Sequence, residues 1–272
     1  MRTALIVSDV QAPCHDPSAF SVMLQIAEKL KPDICTANGD WVEFRHLSLR
    51  YPASKGAEFG ATAKEELDTA RGLLTEFARA CGPKCEKHFN EGNHEWRLFR
   101  ALSRIDQVLQ ILELEGVAKA VSIEAVFGLK ALGFKYSGTY PKGHWLFDLQ
   151  PHGNVYVHHG FLIRQKGGYQ ANAEIDKRMV STITGHGERL ALAWRRDLAN
   201  RHICGIEGGN LSLLGEPNKG DDIYNSVPFN DPEMLDRKQG FVVVYQDGEL
   251  IQPICVGIKD GKAIWDGKVY RA

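Results

Sequence analysis

The chain has 272 residues, 43% hydrophobic and 25% charged, the proportions of a globular protein with a core of its own rather than of a disordered or membrane-embedded one. A formal net charge of -1 excludes a whole-molecule field that would draw the chain onto nucleic acid or an acidic membrane, so any polyanion has to be met by a local patch. No run approaches the ~20 apolar residues that span a bilayer, and Met1 to Asp9 opens a strand without an export signal, so the default expectation is a cytoplasmic protein with no membrane partner.

Ala4 to Val7 reads as a buried strand that delivers Ser8-Asp9 to its C-terminal end. Asp16-Pro17 opens a helix with Phe20, Met23, Leu24, Ala27 and Leu30 at helical spacing, closed before Pro32. Asp33 to Ala37 is a second apolar strand, ending in Asn38-Gly39-Asp40, and a helical pattern follows from about Glu58 to Ala80. Cys85 to Phe89 is a third strand that runs into the turn Asn90 to Glu95. Trp96 to Leu114 is helical, with Arg97, Arg100 and Arg104 on one face, which reads as a solvated face or as a phosphate-steering one. Strand and helix in alternation predict a parallel sheet, with ligand sites outside the carboxyl ends of its strands.

The second half carries short strands: Ala125 to Leu129, Phe134 to Ser137, Trp145 to Leu149 and Val155 to His158. Lys262 to Tyr270 reads as a closing hairpin, and Gln170 to Arg178 as a helix after Gly167-Gly168. With no repeat and no linker-like stretch, residues 1–272 are expected to form one domain. The six cysteines are scattered and form neither a dense disulfide framework nor a CxxC pair. Cys81 and Cys85 could form a local bridge, but reduced buried thiols are favoured.

Five polar turns follow apolar runs: Asp9-Val10-Gln11, Gly39-Asp40-Trp41-Val42-Glu43, Gly92-Asn93-His94-Glu95, His158-His159-Gly160 and Gly185-His186-Gly187-Glu188. A single Asp or His after a strand is usually a turn former. Five such turns, each offering oxygen or imidazole ligands, point together to one metal site.

In order and spacing the series resembles the signature of calcineurin-like metallophosphoesterases, including phage and bacterial members: Asp-x-His, Gly-Asp-x-x-Asp/Glu, Gly-Asn-His-Asp/Glu, His-Gly and Gly-His-x-His. The resemblance implies an α/β fold, a four-layer αββα sandwich, with two divalent metal ions bridged by Asp40. Asp9, Gln11 and Glu188 would belong to the first metal position, and Asn93, His159 and His186 would complete the second. His94 matches the family's proton-handling histidine. His159 directly precedes Gly160 and is favoured as the ligand over His158, which would point to the other face of the strand. His158 and Arg97 are candidates for contact with substrate, and Glu43 is either a support for the site or a solvated acid.

Gln11 and Glu188 stand where the family more often has histidine. An all-oxygen first position favours harder ions, so Mn²⁺ is expected first, with Mg²⁺, Fe, Ni²⁺ and Zn²⁺ as alternatives. The expected activity is metal-dependent hydrolysis of a phosphodiester or phosphomonoester, with a nucleotide or a nucleic acid as substrate. The competing expectation is a binding or scaffold module of the same fold, weakened at the first position by Glu188, and a distant third is a nuclease that needs protein partners.

Overall fold

A computed structural model describes residues 1–48, 62–111, 122–147, 155–164, 166–196, 198, 200–214 and 236–272. Two sheets carry the fold. In the larger one β1 (Arg2–Val7), β2 (Ile34–Asn38), β3 (Glu86–Asn90) and β4 (Phe134–Tyr136) run parallel as neighbours. On the other side of β1 the sheet continues antiparallel through β10 (Gly240–Asp247), β11 (Leu250–Lys259), β12 (Lys262–Trp265) and β13 (Lys268–Arg271). The smaller sheet takes its strands from the middle of the chain: β5 (His144–Leu146), β6 (Val155–His158), β7 (Ser181–Thr184), β9 (His202–Gly208) and β8 (Leu190–Arg196), in that spatial order. In it β6, β7 and β9 are parallel.

The strict alternation of strand side chains explains the layering. From β1, Leu5 and Val7 enter a cluster with Phe20, Met23 and Ile26 of α1 (Pro17–Leu30) and Leu74 and Phe77 of α2 (Ala63–Cys81). Ala4 and Ile6 of the same strand point the other way, against Val155, Val157, Ile183 and Ile206 of the smaller sheet. Both faces of β1 are therefore apolar, and the strand reads as a continuous hydrophobic run. The outer face of the smaller sheet is covered by a further helix, Tyr169–Arg178. A Cβ on Gly205 would lie 2.2 Å from the Ala171 carbonyl oxygen of that helix, so glycine sets the close helix-to-sheet distance. Helices, sheet, sheet and helix make the four layers expected.

The helix starts follow their capping chemistry. Asp16 accepts from the backbone of Ser18 and Ala19, and Thr62 and Glu65 form a reciprocal capping box at the start of α2. The start of the α2 pattern near Glu58 falls outside the described residues, as do the end of the helix read to Leu114 and the last residues of the strand read to Leu149. Trp96–Ile111 forms α3.

One element differs in kind. Ala125 to Leu129, read as a strand, instead forms the end of a short helix, α4 (Ile123–Phe127), and the turn after it. Ser122 caps its N-terminus by accepting from the Ala125 N–H, and Gly128, at φ 65°, ends it in the left-handed conformation. A five-residue apolar run cannot reveal its period, and here the capping residues decide. The Tyr169–Arg178 helix is then α5. No helix among the described residues is long and apolar enough to cross a membrane.

Candidate metal centre

The turns that follow β1, β2, β3, β6 and β7 meet at the carboxyl ends of the parallel strands of both sheets. Five of the predicted residues, Asp9, Gln11, Asp40, His186 and Glu188, have φ between 48° and 63°, in the left-handed region that non-glycine residues enter at a cost of about 1–2 kcal/mol each. Strain of this kind persists only where surrounding contacts enforce it, and it gathers at functional sites. Glycines allow the turns to interlock. A Cβ on Gly92 would fall 2.2 Å from Asp40 Oδ1, and one on Gly39 would fall 2.6 Å from His159 Nδ1.

Asp40 lies at the centre. Its Oδ1 accepts from the His94 N–H at 2.8 Å, and its Oδ2 is 3.2 Å from His159 Nε2 and 3.6 Å from His94 Nε2. Ligand atoms of Asp40, His159 and His186 all lie within 4.8 Å of one another. Asn93 joins this group, its Oδ1 3.1 Å from His159 Nε2. His159 Nδ1 donates to the Asn38 carbonyl at 2.9 Å, which fixes the ring and leaves Nε2 facing two oxygens. That arrangement needs a positive charge between nitrogen and oxygens, either a proton or a metal ion. Without metal the proton fills the need: burial opposes charging of His159, but Asp40 and Asp9 outweigh it and push the ring up to about 10. His186 goes the opposite way, to about 4, because it is buried and faces charged His159.

Asp9 and Glu188 approach from the other side. Asp9 Oδ2 accepts from the His186 N–H at 3.0 Å, while its buried Oδ1 has no hydrogen-bond partner. Burial, together with Asp40 and Glu188, holds the Asp9 carboxyl well above the usual carboxylate range. Glu188 Oε1 accepts from Gln11 Nε2 at 3.1 Å and pairs with Arg237 Nη2 at 2.9 Å, and Glu188 Oε2 is buried without a partner. Asp9 Oδ1 and Glu188 Oε2, both buried without partners, are hard donors suited to a divalent cation, and the residues present fit such a group.

His94 stands at the rim of this cluster. Its Nδ1 is 3.2 Å from Glu43 Oε2, and Glu43 also meets Arg45 Nε at 3.3 Å and Arg97 Nη1 at 3.7 Å. Burial works against charge on His94, but Asp40 and Glu43 prevail and raise its pKa. Burial likewise works against Glu43, yet His94, Arg97 and Arg45 hold its carboxyl down at about 2. Glu43 is thus a buried ionic partner of His94, which decides between the two readings the sequence left open.

Two candidates for contact with substrate are placed elsewhere. His158 is fully buried, with Nε2 3.5 Å from Glu174 Oε2 of α5, and its side chain leaves the strand on the face opposite His159. The ring packs against α5 and does not face the Asp40 cluster. Arg97 is directed inward and donates to the Glu43 carbonyl as well as pairing with its carboxylate.

Other residues matter without having been singled out. Glu95 is completely buried and accepts from the backbone N–H groups of Asp40, Trp41, Val42 and Gly92 at 2.7–3.3 Å, clamping the Gly-Asp turn to the Gly-Asn-His-Glu turn. Its position as the last residue of the Gly92-Asn93-His94-Glu95 motif was the available signal. Asn38 and Asn90 tie the two sheets together: Asn38 Nδ2 donates to the His158 carbonyl, and Asn90 Nδ2 donates to Asn38 Oδ1 and to the Val157 carbonyl. Nothing in the sequence pattern pointed to Arg237.

No protein-family model matches the chain, and no curated protein matches it. Among solved structures it is similar to Vps29 from Entamoeba histolytica in its Zn²⁺ complex, at 11% identity over 99% of this chain and 98% of that one, with a TM-score of 0.43. It is also similar to Chaetomium thermophilum Vps29, at 10% identity over 95% and 87% of the two chains, with a TM-score of 0.43. A third likeness is to Yfce, a phosphoesterase from E. coli, at 13% identity over 93% and 98%, with a TM-score of 0.40.

Proposed function

We propose that the chain is a cytoplasmic, single-domain metal-dependent phosphoesterase that hydrolyses a phosphodiester or phosphomonoester, with a nucleotide or nucleic-acid-like molecule as substrate. The observation that carries this reading is the convergence of Asp40, His159 and His186 ligand atoms beside buried carboxylate oxygens that have no partner. In this reading Asp40 bridges two positions, with Asn93, His159 and His186 at one and Asp9, Gln11 and Glu188 at the other. Divalent cations bound there, Mn²⁺ foremost, would supply Lewis acidity and a nucleophilic water at neutral pH.

The rest of the chemistry belongs to the chain. His94 holds a proton at the rim of the cluster, kept charged by Asp40 and Glu43, and gives it to the leaving oxygen. Glu43 orients the ring through Nδ1 and leaves Nε2 as the donating atom. Glu95 holds the two turns that carry Asp40, Asn93 and His94 in register. The near-neutral charge of the whole chain favours small or single-stranded substrates over long duplex.

A second reading, a binding or scaffold module of the same fold, is favoured by one feature: Glu188 already meets Gln11 and Arg237. The deciding experiment treats the purified protein with a chelator, adds back Mn²⁺, Mg²⁺ or Zn²⁺, and compares bis(para-nitrophenyl) phosphate with its monoester. Metal-restored turnover that His94→Ala lowers supports the phosphoesterase. No turnover with any ion would leave the scaffold reading in its place.

A further inference from the structure

A second set of metal-ligating side chains lies at the opposite end of β2 from Asp40. Cys35 is the second residue of β2, Cys81 is the last residue of α2, and Cys85 immediately precedes β3. Their three sulfurs lie within 4.8 Å of one another. Alternation along β2 sends Cys35 to the helix-covered face, where α2 ends, and the turn Gly82-Pro83-Lys84 folds Cys85 back beside Cys81. The residues are 46 and 4 positions apart in the chain, so neither the CxxC spacing nor any other local motif announces them.

We propose that Cys35, Cys81 and Cys85 form a three-thiolate site for one thiophilic d¹⁰ cation, of the Zn²⁺ and Cd²⁺ class, separate from the Asp40 centre.

Geometry and charge both support this. A Zn–S bond of ~2.3 Å requires sulfurs ~3.8–4.0 Å apart in tetrahedral or trigonal arrangement, so small side-chain rotations close the present spacing onto an ion. Three thiolates and a divalent ion carry a net charge of -1, and the Lys87 ammonium stands next to the site, donating to the Gly82 carbonyl at 2.9 Å and the Cys85 carbonyl at 3.0 Å. That lysine is itself buried, which places a compensating positive charge where a thiolate complex needs one. On loading, each new metal–sulfur bond replaces an S–H bond, and the proton leaves to the buffer. Pro83 and Lys84, the two residues before Cys85, are exposed, so the cluster lies beside a solvent-facing turn. Soft thiolate donors select against the hard ions suited to the carboxylate-rich centre, so the two sites would draw on different metals.

The competing account is a group of reduced thiols packed as small apolar side chains in the core. Titration of the reduced, chelator-treated protein with Cd²⁺, followed by ultraviolet thiolate-to-metal charge transfer, separates the two. The Asp40 centre contains no sulfur and is silent in this signal. One Cd²⁺ per chain should saturate the band and protect three cysteines from alkylation. Cys85→Ser and Cys35→Ser should each reduce the band by about a third and weaken Cd²⁺ binding by roughly tenfold or more, and Cys255→Ser should leave both unchanged. Circular dichroism checks that the serine variants fold, and the alkylation count on the unsubstituted protein stands independently of them. Absence of the band at stoichiometric Cd²⁺, a band indifferent to both substitutions, or alkylation unaffected by Cd²⁺ would each overturn the proposal. So would a Cys81–Cys85 disulfide forming in air in a protein whose reduced form gives no band.

Discussion

Replacing Glu95 by glutamine alters a single atom type yet should loosen the frame of the whole centre. Glu95 Oε1 accepts from Trp41 at 2.7 Å and Val42 at 3.3 Å, and Oε2 accepts from Asp40 and Gly92, both at 2.9 Å. An amide keeps one accepting oxygen and turns an NH₂ group towards the other two N–H donors, whichever way it is flipped. Two buried backbone donors then lose their partners, at about 1–3 kcal/mol each. Part of this is offset, because burial first and Asp40 second raise the Glu95 pKa and show that the ionised carboxylate is itself costly to hold there. The net expectation for Glu95→Gln is a loss of about 2–4 kcal/mol, a large share of the ~5–15 kcal/mol typical of a domain. Urea unfolding at neutral pH, followed through the buried Trp41, measures it. Metal affinity should fall as well, since Asp40 is held at its backbone N–H by the same carboxylate. A stability change below ~0.5 kcal/mol would show that the clamp does not support the two turns and would refute the reasoning.

Asp40→Asn should lower the metal content seen by elemental analysis, because the negative charge and one ligand oxygen between His159 and His94 are lost, and two tightly retained ions per chain would remove Asp40 from the bridging role. His94→Ala should keep the metals but slow hydrolysis of a substrate with a poor leaving group by roughly 10²–10⁴; an unchanged rate would remove it from the proton step. Glu66, on α2, is pushed up to about 7 by burial, with His46 a weaker opposing influence. Its folded pKa lies above the unfolded one, so its contribution is fully present below about 4.5 and is lost as pH rises through about 7. Glu66→Gln should therefore gain stability over the unsubstituted protein at pH ~8, on the order of 1–2 kcal/mol after allowance for screening, and little at pH ~5; a gain of the same size in thermal melts at both values would show that ionisation is not the cause. Glu188→His should shift the ion preference from Mn²⁺ towards Zn²⁺ in calorimetric titrations, and identical affinities in the two proteins would mean that residue 188 does not reach the metals.

What the sequence made legible, and what it did not, follows from the range of the interactions involved. The strands β1 and β2 announce themselves as apolar runs ending in polar turns, because a strand buried on both faces has no polar side to blur the signal. The same property lets Asp9 and Asp40 be read as residues delivered to strand ends. Ala125 to Leu129 misled because five apolar residues carry no period, and the Ser122 and Gly128 caps decide between helix and strand. His158 and His159 are adjacent in sequence, and only the pleat shows which one faces Asp40 and which one faces Glu174. Arg237 and the Cys35–Cys81–Cys85 group were beyond reach, since each depends on residues tens of positions apart meeting through the sheet order.

The centre is asymmetric, and the asymmetry bears on how it would load. On one side Asp40, His159 and His186 converge, and their need for positive charge is met in the metal-free protein by a proton on His159, which an arriving cation displaces. On the other side Glu188 is engaged by Arg237 and Gln11, so a cation there competes with a guanidinium already neutralising the same carboxylate. A cation takes the place of the His159 proton without any side chain having to leave, whereas displacing an arginine means moving a paired side chain. In the phosphoesterase reading the His159 side should therefore fill first and hold its ion more tightly. The Asp9 and Glu188 side should fill at higher metal concentration, once Arg237 has swung away. Arg237 is then the residue that separates an enzyme active at low metal from one that needs excess. Arg237→Ala should bring the two binding steps of an isothermal titration with Mn²⁺ closer together. If the steps keep their spacing, Glu188 binds without releasing Arg237, and the weakness of the first position must come from Gln11 instead.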